Sequence, residues 1–168
     1  TTTFVFASAA ALQEYVEGDR QRFFYSRYEN PSLTSLEAKL AAAEDAEAAM
    51  VFGSGMGAIA ATLLGLLSSG DEVVCSAAIY GGTLHLLHSV LSRFGVTTRF
   101  VELDDLRDPA RVIGPQTKVV WFESPINPTL RCLDIARVAA ACRAAGVLSV
   151  MDNTFATPIY QRPLELGA

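Results

Sequence analysis

The 168-residue chain is 51% hydrophobic and 18% charged, the profile of a well-buried globular domain and not of a disordered one. Its net charge of −5 argues against nucleic-acid or anionic-membrane partners. The longest strongly apolar run, "AIAATLLGLL" at 58–67, is shorter than the roughly 20 residues a bilayer span needs. No charged segment followed by an apolar core opens the chain as a secretory signal would.

Residues 1–31 carry no sustained period, apart from "SAAALQEYVEG", which reads as a short helix ended by Gly18. In "FYSRYENP" Tyr25 and Arg27 read as sharing one side of an extended stretch, since residues i and i+2 of a strand point the same way. A phenol beside a guanidinium is either a solvated edge or a clamp for phosphate. From residue 32 the pattern turns helical, with Leu33, Leu36 and Leu40 on one stripe and Thr34 and Glu37 spaced as a capping box. "EAAMVF" reads as a short strand closed by Gly53, and "GMGAIAATLLGLL" as a helix. "EVVCS" is a strand, and "GTLHLLHSVLSRF" a helix with Leu84, Leu87, Leu91 and Phe94 on one stripe. "VTTRFVE" and "KVVWFE" are strands on either side of a short turn begun by Pro109. "LDIARVAAACRAAG" is a helix with Gly146 past its end, and "VLSVMD" is a strand.

Strands that are near-continuous apolar runs, alternating with helices, predict an α/β fold: three layers, α/β/α, around a mostly parallel sheet. Ligands in such sheets collect at the carboxyl ends of the strands. The tips after residues 52, 76, 123 and 151 carry "GSGMGA", "SAAIYGGT", "ESPINP" and "DNTF", so one rim is expected to gather the Gly, Asn, Asp and Tyr residues. Cys75, Cys132 and Cys142 match neither a zinc nor a Cys-x-x-Cys spacing, and point to reduced thiols in a cytoplasmic protein. His85 and His88 lack a third ligand nearby, so no metal is expected.

Gly55 and Met56 stand where a strand tip runs into a helix, with free N–H groups suited to a phosphate. Gly53, Gly55 and Ala58 also fit G-x-G-x-x-A, but a ribose-binding acid should end the next strand. Asp71 and Glu72 instead precede it, which disfavours a nicotinamide oxidoreductase, and the lack of Gly-Lys-Ser/Thr excludes a nucleoside-triphosphate loop. Asp152 is either a turn former or the partner of a protonated ring nitrogen, as pyridoxal phosphate requires. Tyr80 is either rim packing or a ring that stacks on such a cofactor, with Gly81 and Gly82 giving clearance. Asn127 is a turn residue or a donor to the cofactor.

"YSRYENPS", "LEAKLAAAEDAE", "GSGMGAI", "GDEVV", "IYGGT", "FESPINPTL" and "DNTFATPIYQRPLELGA" together resemble the Cys/Met-metabolism family of pyridoxal-phosphate (PLP) enzymes, the trans-sulfuration enzymes. The resemblance implies a fold type I (aspartate aminotransferase-like) large domain, with 1–31 an arm reaching a neighbouring subunit and 32–168 the first half of that domain. It implies a homodimer or homotetramer acting on a small amino-acid substrate. The chemistry would be elimination or replacement at Cβ or Cγ, foremost a γ-lyase, with cystathionine γ-synthase or O-acylhomoserine sulfhydrylase as the alternative. By the same resemblance Tyr25 and Arg27 hold the neighbour's cofactor phosphate, and Gly55 and Met56 supply phosphate-binding amides. Tyr80 stacks on the ring and assists the leaving group, Asp152 holds the ring nitrogen, and Asn127 and Thr154 make secondary cofactor contacts.

The chain departs from the family in three places. The lysine that holds the cofactor aldehyde is expected downstream of "ELGA", and neither Lys39 nor Lys118 matches it. Methionine γ-lyases typically carry Cys where this chain has Gly82, and several synthases and lyases carry Arg where it has His85. A non-catalytic assembly partner without the lysine is the competing class.

Overall fold

A computed structural model describes residues 1–18 and 22–168, so the arm read at 1–31 lies outside the described residues at 19–21. The chain separates into two compact units, residues 1–42 with 46–51 and residues 43–45 with 52–168.

In the first unit, helix α1 (Ala9–Val16) is capped by Ser8, whose hydroxyl accepts from the Ala11 N–H at 3.1 Å. Phe4, Phe6, Tyr15, Phe23 and Phe24 form its aromatic cluster, with ring centroids 5.6–6.3 Å apart. Tyr25 bridges to Thr3, but the chain then turns: the N–H groups of Tyr28 and Glu29 donate to the Tyr25 carbonyl. The extended stretch expected at 25–27 is therefore corrected to a turn. Tyr25 and Arg27 still meet, because the guanidinium lies 5.1 Å from the Tyr25 ring centroid and 5.5 Å from that of Tyr28.

Helix α2 (Pro31–Glu44) begins at a proline, which has no N–H to leave unpaired. Asn30 fills the role assigned to Thr34, its side-chain oxygen accepting from Ser32 N–H at 2.9 Å. Thr34 lies inside the first turn, and Glu37 accepts from Val51 N–H at 3.0 Å. The capping box does not form because the helix starts earlier than the apolar stripe. The strand expected at 47–52 is likewise absent. An apolar run becomes a strand only beside a hydrogen-bonded neighbour, and no described strand pairs with it.

The second unit is built on β1 (Glu72–Ser76), β2 (Thr97–Val101), β3 (Thr117–Glu123) and β4 (Leu148–Asp152), all parallel, in the order β2-β1-β3-β4. Alternate residues face opposite ways. Val73, Cys75, Val119 and Trp121 pack with Ile59 and Leu63 of helix α3 (Gly55–Leu66), and with Leu87 and Leu91. Val74, Val120 and Phe122 pack with Ile135, Val138 and Cys142 of helix α5 (Ile135–Ala144). The result is the expected three-layer α/β/α arrangement.

The crossover from β1 to β2 moves one way along the sheet and that from β3 to β4 the other. Right-handed crossovers in opposite directions place their helices on opposite faces. The strand order therefore reverses between β1 and β3, the point where open α/β sheets form a crevice.

The helix after β1 differs from the reading. Helix α4 (Gly81–His85) continues as a π turn at Leu86–Val90 and a 3₁₀ turn at Leu91–Phe94. The wider turn rotates later residues off the 3.6-residue stripe. Leu87 and Leu91 are buried while Leu84 and Phe94 stay exposed.

Candidate functional site

At the crevice lies an open cavity of about 430 Å³. Its walls include Gly55 and Met56 from the start of α3, Tyr80 after β1, Glu123 and Asn127 at and after β3, and Asp152 and Thr154 at and after β4. Six of the residues expected at the site, Gly55, Met56, Tyr80, Asn127, Asp152 and Thr154, thus share one cavity. Tyr25 and Arg27 belong to the other compact unit.

Each wall has a local cause. Ser54 caps α3, its hydroxyl accepting from Gly57 N–H at 3.0 Å, while the Ser54 carbonyl takes the Ala58 N–H. The N–H groups of Gly55 and Met56, in the first turn, have no partner within the helix. Asp152 closes β4 in register with Glu123 of β3. Thr154 donates to Asp152 Oδ1 twice, through its N–H at 3.0 Å and through its hydroxyl. One oxygen is thereby fixed, and the other is left facing no hydrogen-bond donor among the described residues. Gly82 is held against Tyr80 and Met56: a Cβ there would come 2.5 Å from Tyr80 Cε1 and 2.7 Å from Met56 Sδ. The ring lies where glycine leaves it room, and a side chain at 82 would have to push the Tyr80 and Met56 side chains aside.

The loops after β3 and β4 are tied together by Gln161. Its side-chain N–H groups donate to the Ser124 carbonyl at 2.6 Å and to Asn153 Oδ1 at 2.8 Å. Asn153 returns a bond to the Gln161 carbonyl at 2.9 Å. Ser124 accepts from Leu133 N–H, and Ile126 N–H donates to the Arg131 carbonyl, both at 3.0 Å. These bonds brace the segments that present Asn127 and Asp152.

Sequence reasoning missed Glu123. It is 5% exposed and accepts from Tyr80 N–H at 2.6 Å. Burial pushes its carboxyl above the usual carboxylate range, and the Asp152 charge adds to that rise, while main-chain bonds from Tyr80 and Asn127 oppose it. The signal was present in the sequence: an acid ending an otherwise apolar strand, "KVVWFE". Asp71 and Glu72 lie at the opposite rim, as expected. Lys118 is exposed beside the start of β3, and no lysine lines the cavity among the described residues. Nor do the described residues hold three His, Cys, Asp or Glu side chains grouped for a metal.

The family described as "Cys/Met metabolism PLP-dependent enzyme" matches residues 1–168. The chain belongs to that family. An L-methionine γ-lyase of Pseudomonas putida is 45% identical over all of this chain and 42% of its own length. A cystathionine γ-lyase of Lactobacillus plantarum, solved with L-serine, is 38% identical with a TM-score of 0.87, over 99% of this chain and 41% of that one. A Campylobacter jejuni protein described as an O-acetylhomoserine (thiol)-lyase, solved with N'-pyridoxyl-lysine-5'-monophosphate, is 34% identical with a TM-score of 0.88 over the same shares. The chain spans about two fifths of the length of the relatives it matches.

Proposed function

We propose that this member of the family forms part of a PLP-dependent enzyme that breaks or makes C–S bonds at Cβ or Cγ of Cys- and Met-related amino acids, foremost as a γ-lyase. One observation carries the reading. Phosphate-type amides, a stacking tyrosine and a carboxylate with one oxygen left over converge on one cavity from separate segments. That donor set suits a phosphorylated pyridinium, and Gly82 lets the Tyr80 ring lie close against the main chain at the cavity wall.

Asp152 would hold the ring nitrogen protonated, and Thr154 would keep its carboxylate turned toward that nitrogen. The N–H groups of Gly55 and Met56 would take phosphate oxygens at the positive end of α3. Asn127 would donate to the ring's oxygen. The Tyr80 hydroxyl would hand a proton to, or take one from, a departing sulfur group. The cofactor, when bound, supplies an electron sink for the bonds broken at the substrate's Cα.

The cavity walls carry two carboxylates, Glu123 and Asp152, and no arginine or lysine among the described residues. A phosphate dianion needs a cation. We assign it to Arg27, with Tyr25 as its phenol partner, supplied by a neighbouring subunit of a homodimer or homotetramer. A γ-replacement enzyme, synthase or sulfhydrylase, is the second reading, favoured by the likeness to the O-acetylhomoserine protein.

The test uses the full-length protein. Incubation with PLP should give a visible-edge absorption band that borohydride removes, and L-methionine or L-cystathionine should release a 2-oxo acid. Turnover only of O-acylhomoserine with a thiol would select the second reading, and no band would overturn both. Arg27→Ala and Asp152→Asn proteins, each having lost most of its activity, should regain part of it when co-assembled, because some shared sites receive two intact halves. No recovery in proven hetero-oligomers would place the clamp within its own chain.

A further inference from the structure

We propose that Glu123 is a positioning residue: its carboxylate acts as an acceptor that pins the main chain of Tyr80 to the tip of β3, and so fixes one wall of the cavity. The proposal rests on the cofactor reading for its consequence but not for its geometry.

The observations are these. Glu123 is the last residue of β3, in register with Asp152 of β4, while the pairing of β3 with β1 ends two residues earlier, at Trp121. Its side chain is almost wholly buried, yet no cation lies against it in the cavity wall. What it meets is main chain, the Tyr80 N–H at 2.6 Å. Tyr80 directly precedes α4, and its own side chain is half exposed. A buried carboxylate is costly unless its acceptors are used. Here one is used on the segment that carries Tyr80.

Acceptance requires an oxygen at that point, not a negative charge. Glutamine offers a carbonyl oxygen of the same reach. Alanine offers none, and aspartate is one methylene short.

The experiment compares the Glu123→Gln, Glu123→Asp and Glu123→Ala full-length proteins. Two readouts are taken: amide hydrogen exchange in the peptide spanning Tyr80 without cofactor, and the affinity and circular dichroism of added PLP. Glu123→Ala should speed exchange in that peptide and weaken PLP binding by about tenfold, with an altered dichroic band, whereas Glu123→Gln should stay within about threefold of the parent. Glu123→Asp should follow alanine, and it decides the matter should the alanine protein fail to fold. Unchanged exchange in the alanine or aspartate protein overturns the proposal, as does equal loss in glutamine and alanine, which would make the charge the active feature. If the parent binds no PLP, the cofactor reading fails by itself, and the exchange data still decide whether Glu123 pins the Tyr80 segment.

Discussion

The two rims of the sheet each hold a glutamate, and the pair shows how one side chain serves two purposes. At the amino rim, Glu72 opens β1 beside Arg99 of β2 and Thr117 of β3. Arg99 donates through Nη2 at 2.8 Å and Nε at 3.2 Å, and the Thr117 hydroxyl donates at 2.6 Å. Arg99 also donates to the Val112 carbonyl. The Arg99 bonds hold the Glu72 carboxyl below its usual range, against a smaller opposing effect of burial. At the carboxyl rim, Glu123 has main-chain donors and a carboxylate neighbour, and its carboxyl is pushed up. Glu72 is neutralised within the fold and joins three strands. Glu123 has no cationic partner among the described residues, at the edge of a cavity. Unsatisfied electrostatics at one rim, and satisfied electrostatics at the other, mark which end meets a ligand.

Substitutions should divide along the same line. Asp152→Asn in the full-length protein should keep the fold and lower turnover by roughly 10- to 100-fold, the equivalent of a charge-assisted bond of about 1.5–3 kcal/mol. Steady-state kinetics beside a melting curve checks it, and unchanged turnover with cofactor bound would remove Asp152 from the chemistry. Glu72→Ala should do the reverse. It strands Arg99 and Thr117, at a cost of about 1–3 kcal/mol, toward the lower end because Arg99 is 38% exposed. Urea unfolding should show the loss while PLP affinity stays at the parent value. If Glu72→Ala weakened PLP binding as much as Asp152→Asn lowers turnover, the division between rims would be broken.

A smaller effect sharpens the site itself. Gly82→Ala drives a methyl into Tyr80 and Met56. Both contacts are ends of side chains and can swing, so the overpacking cost should be near its lower limit of about 1 kcal/mol. PLP affinity measured by dialysis should fall by about fivefold. No change would mean that the Tyr80 ring does not bear on the cofactor.

The fold was largely legible because apolar strands, such as "KVVWFE", leave little choice between exposed and buried. The rim residues were legible because each stands just past a strand, where the α/β arrangement puts ligands. What was hidden depends on partners far off in sequence. Glu123 meets Tyr80 across 43 residues and Gln161 reaches Ser124 across 37, and no local period reports such pairs. The helix at 31–44 began at Asn30 and Pro31 because a side-chain oxygen and a proline can start a helix ahead of its apolar stripe. The run at 47–52 looked like a strand since composition cannot say whether a neighbouring strand exists.

The finest test of the contrast is its pH dependence. A carboxyl whose pKa is lowered by folding contributes stability above its unfolded pKa and loses it as pH falls through its folded pKa. Glu72 is such a group, with an ordinary value of 4.5. Parent and Glu72→Gln proteins should therefore differ by a constant amount above pH 4.5 and converge as the pH falls below it. Glu123 has the opposite sign. Its folded pKa lies above 4.5, so carrying the charge costs stability at high pH, and that cost is relieved as pH falls through the raised value. The gap between Glu123→Gln and parent should thus shift in favour of the parent as pH drops toward 4.5, and stay level beneath it. Urea unfolding of the three full-length proteins across this range reads both slopes. Two slopes of the same sign would show that Glu123 finds, in the folded protein, a cationic partner like that of Glu72, and the contrast between the rims would fall.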